Sequence, residues 1–159
     1  MYERILVPLD GSDLAARVLP YVEELAQKFG SEVLLFQTIT PLSQLIIQST
    51  PGTMEGAASV AETGVQLAEE ELVAERDAAD AYLASVQARL TGMGLKASAR
   101  VQEGSAGTAI IAYADESKAT LLAMCTHGRG GLQRLVFGSV TDEVLRHSKL
   151  PMLLIRSAR

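Results

Sequence analysis

The sequence has few aromatics and almost no cysteine. Phe and Tyr supply only 4% of its 159 residues, and Trp is absent. This excludes a stacking platform for single-stranded nucleic acid and a binding surface built on aromatic anchors. A single cysteine, Cys125, excludes an internal disulfide. No apolar run approaches the ~20 residues a membrane helix needs, so no membrane partner is expected. The net charge of −5 argues against general nucleic-acid binding. Catalytic signatures are missing too. There is no Gly-x-x-x-x-Gly-Lys-Ser/Thr loop, no His-Glu-x-x-His and no Gly-x-Ser-x-Gly. Met1-Tyr2-Glu3-Arg4 leads straight into an apolar strand pattern, without a secretory leader, so a cytoplasmic location is expected.

What is present is an ordinary globular mix, 48% hydrophobic and 21% charged. The length predicts one domain over residues 1–159. Charge is uneven along it. From Thr126 onward six Lys/Arg meet two acids, a net +4, while the rest carries −9.

Tyr2 to Leu9 reads as a strand buried on both faces, with Pro8 at its end. Asp10-Gly11-Ser12-Asp13 is turn chemistry, with Ser12 or Asp13 as a helix N-cap. Leu14, Val18, Val22, Leu25 and Phe29 recur at helical spacing up to Gly30, and Pro20 predicts a kink near Ala16. Glu32 to Ile39 is a second buried strand. Residues 41–66 hold two prolines and many Ser and Thr, and predict a partly ordered flap with a short helix. Leu67 to Leu90 is a long helix, Leu95 to Val101 a strand near a sheet edge, and Gly107 to about Ser117 a helix. Thr120 to Met124, Ser139 to His147 and Leu150 to Ile155 complete the chain as strand, helix and strand. Alternating strands and crossover-length helices predict an α/β fold. The expected form is a doubly wound, Rossmann-like five-stranded parallel sheet in the order 3-2-1-4-5, with helices on both faces. Ligands of such sheets bind beyond the C-terminal strand ends, where the winding reverses. Three segments should meet there: Pro8 to Asp10, Thr38 to Thr40, and Cys125 to Gly131.

The last of these carries the chemistry. Cys125 to Thr141 places three glycines in four positions after a buried strand, then opens a helix at Gly138-Ser139. Backbone N–H groups of such a turn, with the orphan N–H groups of the helix, form an anion site. Gly128 and Gly138 allow close approach to a polyphosphate. Arg129 offers a forked donor, and His127 a further donor. Ser139 is expected to cap the helix, with Asp142 as its capping-box partner, or to bind phosphate with Thr141 nearby. Asp10 either serves the ligand or shapes its own turn. Cys125 reads as a small buried residue, and His147 as a partner of the last helix's C-terminal dipole.

With "ILVPLDGS" at Ile5 to Ser12, "THGRGG" from Thr126 and "GSVTDEVLRHSKLPMLLI" from Gly138, the sequence resembles the universal stress protein family over essentially its whole length. The family's motif of glycine, two residues, glycine, nine residues, glycine and Ser/Thr falls on Cys125, Gly128, Gly138 and Ser139, with Cys125 departing from it. The resemblance implies an ATP-binding stress-response module that holds ATP, ADP or AMP with Mg and turns over little or none. The implied nucleotide-binding set is Pro8, Leu9, Asp10, Thr38, Cys125, His127, Gly128, Arg129, Gly138, Ser139, Val140 and Thr141. Pro8 and Thr38 would flank adenine, and Asp10 the ribose or the phosphate-bound Mg. No side-chain metal site is implied otherwise. The resemblance also implies a homodimer through Leu150 to Ile155 and an unidentified protein partner. The alternatives are a nucleotide-free interaction protein, its pocket narrowed by Cys125, and an enzyme acting on adenylated substrates.

Overall fold

The computed structural model describes residues 2–49, 57–127 and 138–157. Along the chain run β1 (Arg4–Pro8), α1 (Asp13–Ala16), α2 (Leu19–Phe29), β2 (Glu32–Ile39), α3 (Leu42–Ser49), α4 (Ala57–Gly92), β3 (Lys96–Glu103), α5 (Ala106–Glu116), β4 (Leu121–His127), α6 (Ser139–His147) and β5 (Met152–Ser157). The strands form one sheet in the order β3-β2-β1-β4-β5. Every pairing is parallel, with Ile5 opposite both Val33 and Leu121. The predicted fold class and strand order hold.

Central strands of a covered parallel sheet must be apolar on both faces, and Ile5, Leu6 and Val7 are fully buried. Ile5, Val7, Val33, Leu35, Leu121 and Ala123 face one layer, where they pack with Val22 and Ala26 of α2 and Leu83, Val86 and Leu90 of α4. Leu6, Leu34, Phe36, Leu122 and Met124 face the other, against Ala109, Ile110 and Ala114 of α5 and Val144 of α6.

The helices differ from expectation in three places. The kinked helix over 14–29 is two helices. Pro20 falls in the first turn of α2, where its missing N–H costs nothing, and the chain breaks at Arg17-Val18. The long helix starts at Ala57, ten residues earlier than Leu67, so the expected flap over 41–66 divides into α3 and the first turns of α4, with 50–56 outside the described residues. The last helix is capped by Gly138, not Ser139, and among the described residues no side chain caps it. Asp142 Oδ2 instead accepts from Arg146 Nε at 2.8 Å, one turn on, so the capping box does not form. His147 closes the helix as expected, its Nδ1 2.8 Å from the Glu143 carbonyl.

One close packing sets the position of α6. A Cβ at Gly107 of α5 would overlap the Glu143 carboxyl group, which lies there and accepts from Thr108 Oγ1 at 3.0 Å. The N-terminal ends of α5 and α6 are thereby held side by side at one edge of the sheet.

The burial pattern of α4 gives a direct stability test. Leu83 is 1% exposed and Leu67 54%. Leu83→Ala is expected to cost about 2–5 kcal/mol by leaving a cavity, and Leu67→Ala within about 0.5 kcal/mol. Urea unfolding should show the first as a lower midpoint at unchanged slope. Equal effects would contradict the assigned buried face.

Candidate functional site

At the C-terminal ends of the central strands lies an open cavity of about 140 Å³. Apolar cavities of ~150 Å³ accommodate a six-membered aromatic ring. The walls are Pro8, Leu9 and Asp10 after β1, Phe36 and Thr38 of β2, Met124 and Cys125 of β4, Ala15, Ala106, Ile110 and Val140. Six of the residues named from sequence are therefore together: Pro8, Leu9, Asp10, Thr38, Cys125 and Val140. Five lining residues were missed. Phe36 and Met124 had a signal, since Phe36 shares a strand face with Thr38 and Met124 precedes Cys125. Ala15, Ala106 and Ile110 read only as helix positions, because nothing local says which helix end meets which strand end.

Asp10 organises the rim. Its Oδ1 accepts from the Ser12 backbone N at 3.0 Å and from Ser12 Oγ at 2.6 Å. Ser12 Oγ in turn accepts from Ala15 N at 3.1 Å and caps α1. So Asp10 does shape its own turn, yet Oδ2 keeps no protein partner among the described residues and the carboxylate is exposed. The same carboxylate reaches inward electrostatically: burial first, then Asp10, pushes the Tyr82 phenol above its ordinary pKa.

Two further helix N-termini border the cavity. Ala106 is the first residue of α5 and Val140 the second of α6, and neither helix has a side-chain cap. Uncapped first turns present orphan N–H donors and the positive end of the macrodipole. Gly138 and Ser139 are exposed at the α6 entry, and Thr141 is buried behind them. A Cβ at Gly138 would meet nothing within 4 Å among the described residues. Of the remaining predicted residues, His127 ends β4, with its backbone paired to Ser157. Gly128 and Arg129 lie outside the described residues. Among the described residues no cluster of His, Cys, Asp and Glu can hold a metal ion, and no helix is long and apolar enough to cross a membrane.

The family model of the universal stress proteins matches residues 1–156. The chain belongs to this family. Universal stress protein MJ0531 of Methanocaldococcus jannaschii is 26% identical over 161 residues, a match covering all of this chain and 85% of that protein. The structure of MJ0577 from the same organism superposes with a TM-score of 0.75 at 24% identity, covering 100% of this chain and 99% of the other. A universal stress protein from Archaeoglobus fulgidus, solved in complex with dAMP, gives 0.58 at 18% identity, covering 97% and 98%. At these identities the two structures speak for the shared fold.

Cys125 stands at the first position of the glycine motif that the resemblance implies. It is half-buried in the cavity wall, and burial holds its thiol above the ordinary range, against smaller lowering effects of the Thr126 backbone N–H and Arg17. The thiolate is the reactive form. Iodoacetamide is therefore expected to modify Cys125 more slowly at pH 7 than a free cysteine peptide, with the rate rising only as pH climbs past the peptide's own titration. Reaction at or above the peptide's rate at pH 7 would contradict this assignment.

Proposed function

We propose that the chain is a single-domain regulatory module that holds an adenine nucleotide, ATP or its products ADP and AMP, in this cleft. One juxtaposition carries the reading. An apolar cavity of aromatic-ring size lies against two helix N-termini that lack side-chain caps. A flat base needs the first, and phosphate oxygens need the second. In this reading Pro8, Leu9 and Thr38 flank the base, and Oδ2 of Asp10, without a partner among the described residues, serves the ribose or a phosphate-bound Mg²⁺. Cys125 forms the floor. Gly138, Ser139, Val140 and Thr141, with His127, Gly128 and Arg129, serve the phosphates. The dAMP complex of the Archaeoglobus fulgidus relative supports an adenine ligand.

Holding, not turnover, fits the sequence, which has no P-loop lysine. Phosphate release near ~10 per second, an ordinary enzyme rate, would contradict that part of the proposal. The expected primary result is heat on titration with ATP and Mg²⁺. Gly138→Val should weaken it at least tenfold, and urea unfolding should separately show the loss of about 0.5–2 kcal/mol that a poor N-cap residue brings to α6. Absence of heat with ATP, ADP and AMP would refute the proposal.

One observation favours a second reading. Cys125 lines the cavity at the position where the implied family motif has glycine, so a nucleotide-free interaction protein would gain binding on Cys125→Gly. The proposed homodimer uses β5. That strand is a sheet edge, and Met152, Leu153, Leu154 and Ile155 are only half-buried. Edges of this kind invite pairing unless covered. Light scattering should report a dimer, and a dilute monomer would count against it.

A further inference from the structure

We infer that Glu75, a helix residue outside the cavity, is the positioning residue for the base end of the cleft. The inference rests on the nucleotide reading above. Thr40 is the first residue beyond β2 and precedes Pro41 and α3. Its backbone N–H has no strand partner left. Glu75, midway along α4, supplies the acceptor: its two carboxylate oxygens lie 3.2 and 3.1 Å from Thr40 N, and Thr40 Oγ1 donates to Oε1 at 3.3 Å. The next residue, Arg76, holds Glu103 at the end of β3 at 2.8 Å. Gly104 N closes the edge by donating to the Ile39 carbonyl at 3.2 Å. One turn of α4 thus fixes the ends of both β2 and β3.

Thr38 lines the cavity two residues before Thr40. The backbone from Thr38 to Pro41 is consequently pinned on its far side by a group 35 positions away in sequence. Both Glu75 and Thr40 are half-buried, so water replaces a lost acceptor poorly, and an orphaned N–H is costly. Without the acceptor, the strand end relaxes and the base loses its wall.

Charge and positioning make opposite predictions, which makes the inference testable. Removing a carboxylate near an anionic ligand strengthens electrostatic attraction, more so with each added phosphate. Removing a positioning group weakens binding equally for AMP, ADP and ATP. Glu75→Gln and Glu75→Ala lose the same charge, but the amide oxygen of Gln can still accept from Thr40 N–H.

Calorimetric titration of the full chain with AMP, ADP and ATP, each with Mg²⁺, decides. Relative to the equally charged Glu75→Gln, Glu75→Ala is expected to weaken all three by a common factor of about ten, the size of one good hydrogen bond. Glu75→Gln should recover to within about threefold of the parent chain, and the exposed neighbour Glu71→Ala should leave all three unchanged. Parent-like affinity in Glu75→Ala, an Ala-to-Gln ratio that differs among the three ligands, or a Gln variant as weak as Ala would each overturn the inference. Amide hydrogen exchange without ligand gives an independent arm. In Glu75→Ala the amides of Thr38, Ile39 and Thr40 should exchange faster, with those of Leu6 and Leu122 unchanged. Unchanged exchange at Thr40 overturns the inference. If the parent chain binds none of the nucleotides, the proposed function fails, and this exchange result alone judges whether Glu75 holds the strand end.

Discussion

Two adjacent strands send the chain to opposite sides of the sheet, and the site depends on that divergence. β1 continues into α1 and α2, which pack on the layer of Ile5 and Val7. β4 leads to α6, whose Val144 packs on the layer of Leu6 and Leu122. With β1 and β4 paired side by side, the two chains diverge and a crevice opens at their C-terminal ends. Right-handed crossovers from parallel strands leave the chain no other way to wind once the order 3-2-1-4-5 is set.

That constraint dictates what the crevice is made of. Below it the strands are buried on both faces and must be apolar. At their ends the backbone emerges from the sheet and its polar groups need partners. Some are met internally: Ser12 caps α1 and binds Asp10, and Glu75 takes the N–H of Thr40. Among the described residues, no side chain caps the first turns of α5 and α6. A cavity with an apolar floor and helix N-termini without side-chain caps at its lip suits a ligand that is apolar at one end and anionic at the other. The packing of Glu143 into the space beside Gly107 keeps those two lips together.

Much of this could be read before any coordinates. Buried strands leave near-continuous apolar runs, so the sheet and its order were legible, and β2 and α6 match the expected residues at both ends. So were five cavity residues at the ends of β1, β2 and β4, which topology brings together, while the sixth, Val140 of α6, came from the family resemblance. The rest was hidden for definite reasons. Pro20 fits both a kink and a first turn, and only the break at Val18 separates them. Gly138 and Ser139 are adjacent cap candidates, and the ion pair of Asp142 with Arg146 removed the expected capping-box partner. The early start of α4 lies in a Ser-, Thr- and Gly-rich stretch with weak helical periodicity. The contact of Glu75 with Thr40 joins positions without any local pattern, and in the sequence Glu75 is one more acid on a charged helix.

The central claim is that an adenine nucleotide lies in this crevice with its base against Pro8, Thr38 and Cys125. Backbone amide chemical-shift mapping during titration with AMP tests it most directly. The account predicts perturbations concentrated at Leu9, Asp10, Thr38, Cys125 and Val140, with Gly30, Gly94 and Lys96 at the opposite edge of the sheet unmoved. Perturbations centred on that opposite edge, or none at saturating AMP, would contradict it.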